Sequence, residues 1–199
     1  MRLTSQTLLC EGVGSPKSTA NLARTAILSA VPTRAGNLAE MILSTRDEKR
    51  NADALLQPLA AVVGARRQAE EISTLLRVAQ EFRGADSPRV SLLAGLAEGL
   101  GRARPEKVVS AEGVKAVEQL VESSSPDVKQ HALRIAGLLQ ITDSPGIRAT
   151  CAAAVKTALD ASRRDNERKA ALNLLTGASA STLEPLHAAC RRSGASAPP

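Results

Sequence analysis

The residues that could carry chemistry in this chain are few. There are two histidines, His131 and His187, and three cysteines, Cys10, Cys151 and Cys190. A nucleophile and its base need such groups brought together with a third that orients the base, and their spacing offers no such set. His187 and Cys190 stand three apart on a helical stretch and would share a face. They give two metal ligands where zinc needs four, or three and a water, and no second pair stands near them in sequence. His131, between Gln130 and Ala132 in an amphipathic stretch, is accounted for by packing or a solvent-facing place. The cysteines form no Cys-x-x-Cys pair, and an odd number of widely spaced thiols is not a disulfide framework. There is no Gly-x-Gly-x-x-Gly after a strand, no Walker loop and no Gly-x-Ser-x-Gly. The run Gly95-Leu96-Ala97-Glu98-Gly99-Leu100-Gly101 is glycine-rich but lies in a helical pattern. Its glycines suit close helix packing near Gly95 and helix termination near Gly101. The expectation is a non-catalytic chain with no cofactor and no metal.

Basic residues are the other candidates. Arg66-Arg67, Arg102-Ala103-Arg104, Arg163-Arg164 and Arg168-Lys169 stand mostly beside predicted loops, as does Arg191-Arg192 near the end. If successive loops stacked on one edge, Arg66, Arg67, Arg102, Arg104, Arg163, Arg164, Arg168 and Lys169 would form a ridge able to hold an anionic partner or neutralise phosphates. Glu70, Glu71, Asp160, Asp165 and Glu167 are interleaved with them, which suits solvated repeat edges equally well. The net charge of +6 and pI near 9.7 would speed encounter with anionic partners. Stacking of nucleobases needs aromatic platforms, and Phe82 is the only aromatic residue among Phe, Tyr and Trp.

The elements that must position these residues are helices. The chain has 199 residues, 43% of them hydrophobic, and 35 are alanine. Alanine is the best helix former, and its small side chain lets helices approach closely. Ser125-Pro126 reads as an N-cap followed by proline at the first helical position, and Val128, Ala132, Ile135, Ala136 and Leu139 then recur at helical spacing. Aligning other segments on Ala132 gives the anchor alanines Ala26, Ala60, Ala94, Ala132 and Ala171, spaced 34 to 39 residues apart. That period fits one helix–turn–helix unit per repeat. Ser15-Pro16, Ser87-Pro88 and Ser144-Pro145 mark further starts. Partner helices are predicted at Ala35–Ser44, Gln68–Phe82, Ala111–Glu122, Ile147–Ala161 and Leu183–Arg191. No run alternates as a strand would. Glu98 falls where the other repeats place Ala30, Gly64, Ala136 and Leu175, which marks a groove-lining site, an alignment off by a residue or an exposed helix face.

The segment Ser125-Pro126-Asp127-Val128-Lys129, with Ala132, Ala136, Gly137 and Leu138 following, resembles the second helix of a HEAT repeat. The stretches Ala23–Val31, Leu59–Arg66 and Leu93–Leu100 look like the middle of large planctomycete-type multidomain proteins. In those, a dehydrogenase-like β-propeller precedes a HEAT region and a haem-attaching Cys-x-x-Cys-His module follows it. The resemblance spans about Ala20 to Cys190, and neither flanking module is present. It implies a spacer or interaction segment, with no redox or haem residue to carry over.

The expected architecture is all-α: a right-handed α-solenoid of about five HEAT-like helix pairs over residues 16–192, with residues 1–15 as a cap or loose segment and 193–199 as a disordered tail. The expected function is protein binding or interdomain scaffolding, with sequence-independent nucleic-acid binding along a basic edge as the alternative. Expected partners are another protein or other modules of a parent polypeptide, and uncapped ends would favour self-association. Met1–Cys10 is too short and too polar for a signal peptide, and no run approaches the roughly 18 apolar residues of a membrane span. The expectation as given is therefore a soluble, unexported chain, or an exported one if it is a piece of a larger protein.

Overall fold

The computed structural model describes residues 35–44, 49–141, 144–176 and 178, all within the compact unit Thr33–Pro199. The predicted helices around Ala26 and at Leu183–Arg191, the segment 1–15 and the tail 193–199 lie outside them. The described residues hold eight helices and no strand: α1 Ala35–Ser44, α2 Lys49–Arg66, α3 Ala69–Glu81, α4 Asp86–Leu100, α5 Ala111–Val121, α6 Pro126–Leu138, α7 Pro145–Leu159 and α8 Asp165–Leu175. None is long and apolar enough to cross a membrane. The first predicted partner helix has the observed bounds of α1, and α3, α5 and α7 match the next three to within two residues at each end. The sequence reads 45–51 as a loop, but α2 is already helical at Lys49.

The helices form two rows, α1, α3, α5, α7 and α2, α4, α6, α8, in which each helix packs on the next of its own row. The rows are tied chiefly by the pairs α1–α2, α3–α4, α5–α6 and α7–α8. Each anchor helix thus packs against the partner that precedes it in the chain. Two of the four pairs are closed by the same device. Arg89 Nε donates to the Ala79 carbonyl at 3.0 Å and its guanidinium reaches Asp86 at 3.4 Å. Arg168 Nε donates to the Ala158 carbonyl at 3.2 Å and reaches Asp165 at 3.7 Å. Both carbonyls lie in the last turn of a helix, where no backbone N–H of the helix itself is left to satisfy them. One arginine in the first turn of the next helix therefore caps one helix and fastens the hairpin.

The serine–proline marks behave differently from one another. Ser144 is the N-cap of α7, and its Oγ accepts from the Ile147 N–H at 3.4 Å. Ser125 occupies the N-cap of α6, but its side chain makes no capping bond. At Ser87-Pro88 the helix has already begun, with Ala85 as N-cap and Asp86 in the first turn. A serine cap that the proline pattern does not mark is Ser110 on α5. Its Oγ accepts from Gly113 N–H at 3.3 Å, and its N–H and hydroxyl both donate to Ser73 Oγ on α3, at 3.2 and 2.8 Å. Ser73 in turn donates to the Ala69 carbonyl at 2.7 Å, so this buried polar link between α3 and α5 is fully satisfied.

Burial follows a recurring 36-residue spacing. Leu56, Leu92 and Val128 are fully buried, as are Ala60, Leu96 and Ala132, each set spaced by 36 residues. Leu96 therefore takes the anchor place expected for Ala94, which is only half-buried. The two-residue slip removes the anomaly at Glu98, which is exposed and paired with Arg102 one turn on at 2.9 Å. The buried residue in that register is Leu100.

The closest packing joins α2 to α4. A Cβ added at Gly95 would collide with the backbone of Gln57, and one at Gly99 with the backbone of Ala61 and Ala65. One at Gly64 would lie 2.6 Å from the Leu96 carbonyl oxygen and 2.8 Å from the Leu100 nitrogen. Stepping four residues along α4 steps four along α2 in the same direction, so the two helices run parallel. Side chains ordinarily hold packed helices about 8–10 Å apart, and here their absence lets the backbones touch. Past Gly99, Gly101 caps α4, its N–H donating to the Ala97 carbonyl at 3.0 Å.

Gly95→Ala should lower stability by about 1–3 kcal/mol, because backbone rather than a movable side chain meets the new methyl. Gly146→Ala, in the first turn of α7, meets nothing nearer than Glu122 Oε1 at 3.7 Å and should gain a few tenths to about 1 kcal/mol from helix propensity. Urea unfolding of the two variants gives the comparison. A Gly95→Ala chain as stable as the parent would rule out the tight α2–α4 contact.

Candidate functional site

The pair α7–α8 sits less closely on α5–α6 than the earlier pairs sit on one another, and α6 barely touches α7. Between them lies a groove of about 670 Å³. The sequence explains the opening. On α7 the groove is lined by Thr150, Ala153, Ala154 and Thr157, which share one helix face and lack the bulk to reach α6. On α8 it is lined by Ala170, Ala171, Asn173 and Leu174, and only Ala171 and Leu175 of that helix are buried. Asp127, Lys129 and Gln130 of α6 and Glu167 of α8 put charge and hydrogen-bonding groups on its walls. At one end Gln130 Nε2 donates to Thr176 Oγ1 at 3.4 Å and bridges α6 to the end of α8. The volume falls in the usual range for binding clefts, roughly 300–1,000 Å³.

The predicted basic residues divide into two groups. Arg66, Arg67, Arg102 and Arg104 gather at the carboxyl ends of α2 and α4; Arg163, Arg164, Arg168 and Lys169 stand at the α7–α8 turn and the start of α8. Five of these eight face acids. Arg66 pairs with Glu71 at 3.3 Å, and Arg67 with Glu106 at 3.3 Å while also donating to the Leu100 carbonyl at 3.4 Å. With its amide in the orientation the neighbours require, Gln68 joins the first pair, donating to Glu71 Oε1 and accepting from Arg66 Nη2. Arg102 meets Glu98, Arg163 meets Asp160 and Glu167, and Arg168 meets Asp165. Arg67 holds a left-handed φ of 55° just past the end of α2, and its side chain is only 14% exposed. Arg67 and Arg168 therefore act within the fold as fasteners. Arg104, Arg164 and Lys169 are exposed.

The two titratable groups nearest to chemistry are both held uncharged. Burial raises the Cys151 thiol, which lies in the core of α7, and so suppresses the reactive thiolate. His131 Nδ1 is buried without a partner. Burial first, then the Arg134 guanidinium, holds this imidazole below its ordinary 6.5 against the opposing pull of Asp127. No group of three His, Cys, Asp or Glu residues that could hold a metal occurs among the described residues. Cys10, His187, Cys190 and Arg191-Arg192 lie outside them. What sequence reasoning missed is the groove itself. The available signal was small residues at Thr150, Ala153, Ala154 and Thr157, a spacing that gives one helix a shallow face.

Because its folded value is depressed, His131 supports the fold above pH 6.5, the ordinary value, and this contribution drains away as pH falls through the lowered value. Asp160, whose carboxyl is held below its ordinary 3.8 by the Ser162 hydroxyl and N–H, acts only in a more acidic window. His131→Gln should therefore flatten the stability profile between pH 6.5 and the carboxylate range, as measured by urea unfolding at a series of pH values. An unchanged profile would show that the imidazole is not held neutral by the fold. Comparison with protein families, with curated proteins and with solved structures returns no match for this chain.

Proposed function

We propose that this chain is a HEAT-like, right-handed α-solenoid of about five helix pairs that binds or scaffolds protein without catalysing a reaction. The reading is supported by the way each helix packs on its second neighbour in two rows, with helices paired at a 36-residue register. The observation that carries the functional half is the α6–α7–α8 groove. Its floor of alanine and threonine admits a polypeptide close to the backbone, and its walls carry both signs of charge to orient it. A resemblance to the HEAT segment of multidomain proteins agrees with a spacer or interaction role. The rival reading, phosphate binding along a basic edge, is weakened by the acids that face five of the eight candidate residues.

Ala153→Arg combined with Ala170→Arg fills the groove at two exposed positions and should leave the helical circular dichroism unchanged. A protein captured by crosslinking to the parent chain, then purified, should bind this variant at least about tenfold more weakly. Equal affinity would remove the groove from the function. Titration of duplex DNA at two salt concentrations gives the other outcome: binding that weakens steeply with salt would establish the nucleic-acid reading instead.

A further inference from the structure

Phe82 is the only aromatic residue of the chain apart from the two histidines, and it is not in the core. It is half-buried at the carboxyl end of α3, with its N–H donating to the Val78 carbonyl at 3.1 Å. Its ring lies against Gly84, whose missing Cβ leaves it the room to do so. Beside the ring, between α1 and α3, is a pocket of about 180 Å³. Leu43, Val78 and Phe82 give it an apolar wall, and Glu40 from α1 and Glu81 from α3 bring a carboxylate from either side. Glu81 shares its charge with exposed Arg77 at 2.8 Å, whereas Glu40 has no ion pair among the described residues. The site is locally acidic on a chain of net charge +6.

We propose that this pocket receives the arginine side chain of a partner protein. The volume is below the roughly 300 Å³ at which small-molecule clefts begin and suits one side chain. An apolar wall with carboxylates at its rim asks for an apolar stem ending in a cation. An aromatic ring favours the planar guanidinium, which stacks on it and donates to carboxylates along its edge, over a compact, strongly hydrated ammonium. The pocket rests on the protein-binding reading for its class of partner, but it lies on α1 and α3, apart from the α6–α7–α8 groove.

Phe82 reports on its own occupancy, because its ring protons are the only phenyl signals in the NMR spectrum of the full chain. Titration with acetyl-Leu-Arg-Leu amide should shift them, and the isosteric citrulline peptide should bind on the order of fivefold or more weakly. Glu40→Gln with Glu81→Gln should weaken the arginine peptide to the level of the citrulline one while the rest of the spectrum keeps its dispersion. The groove variant Ala153→Arg/Ala170→Arg should leave the Phe82 response intact, so that the two sites stand or fall separately. Equal responses to the arginine and citrulline peptides, or no movement of the phenyl signals at about 10 mM arginine peptide, would overturn the proposal.

Discussion

The backbone contact between α2 and α4 is the constraint on which the rest of the array depends. Gly64, Gly95 and Gly99 leave no side chain between the two helices, so their separation and register are set by main chain against main chain. A pair of helices spaced by side chains can slide or rotate by exchanging rotamers; one spaced by carbonyls and Cα atoms has few alternatives. With α4 seated in this way, Leu92, Leu93, Leu96 and Leu100 are all buried, while Glu98 alone of its second half faces water. That half of the helix is covered on nearly every side, which is why its sequence lacks a clean polar stripe.

From that centre the packing loosens along the chain. The α4–α6 and α3–α5 contacts are built from ordinary aliphatic side chains, with the Ser73–Ser110 link adding a polar fastening between α3 and α5. On α7 the groove face runs to alanine and threonine while Ile147, Cys151 and Val155 fill its core side, and only Ala171 and Leu175 of α8 are buried. The groove follows from this thinning of side-chain volume. The groove opens where successive helix pairs touch least.

Helix positions were legible because burial on one face imposes spacings of three and four residues, and those survive in a chain with few other signals. The helix bounds at Ala35–Ser44 and the capped start at Ser144-Pro145 are of this kind. The register between repeats was not legible to the residue. In an alanine-rich chain a slip from Leu96 to Ala94 keeps an apolar residue at the anchor, and only the burial of Leu96 separates the two. The glycines of α4 could be read as sites of close approach, but their partner, thirty-eight residues away on α2, could not, because a glycine leaves no complementary side chain to search for. Arg89 and Arg168 show the opposite case. Their sequence context repeats, with alanine ten residues before and aspartate three before each arginine, yet a charge beside a loop reads as solvated until the carbonyl it caps is seen. The candidate basic residues likewise read as solvated from sequence, and only the side chains show that five of the eight face acids.

Hydrogen exchange followed by mass spectrometry tests the central place of the α2–α4 contact most directly, because it ranks the opening of each helix within the intact chain. The slowest amides are expected in the facing halves of α2 and α4, around Ala60–Gly64 and Leu92–Gly99, with α7 and α8 exchanging first. Exchange that is as fast in α2 and α4 as in α8, or protection greatest in α7 and α8, would contradict an array built outward from that glycine contact.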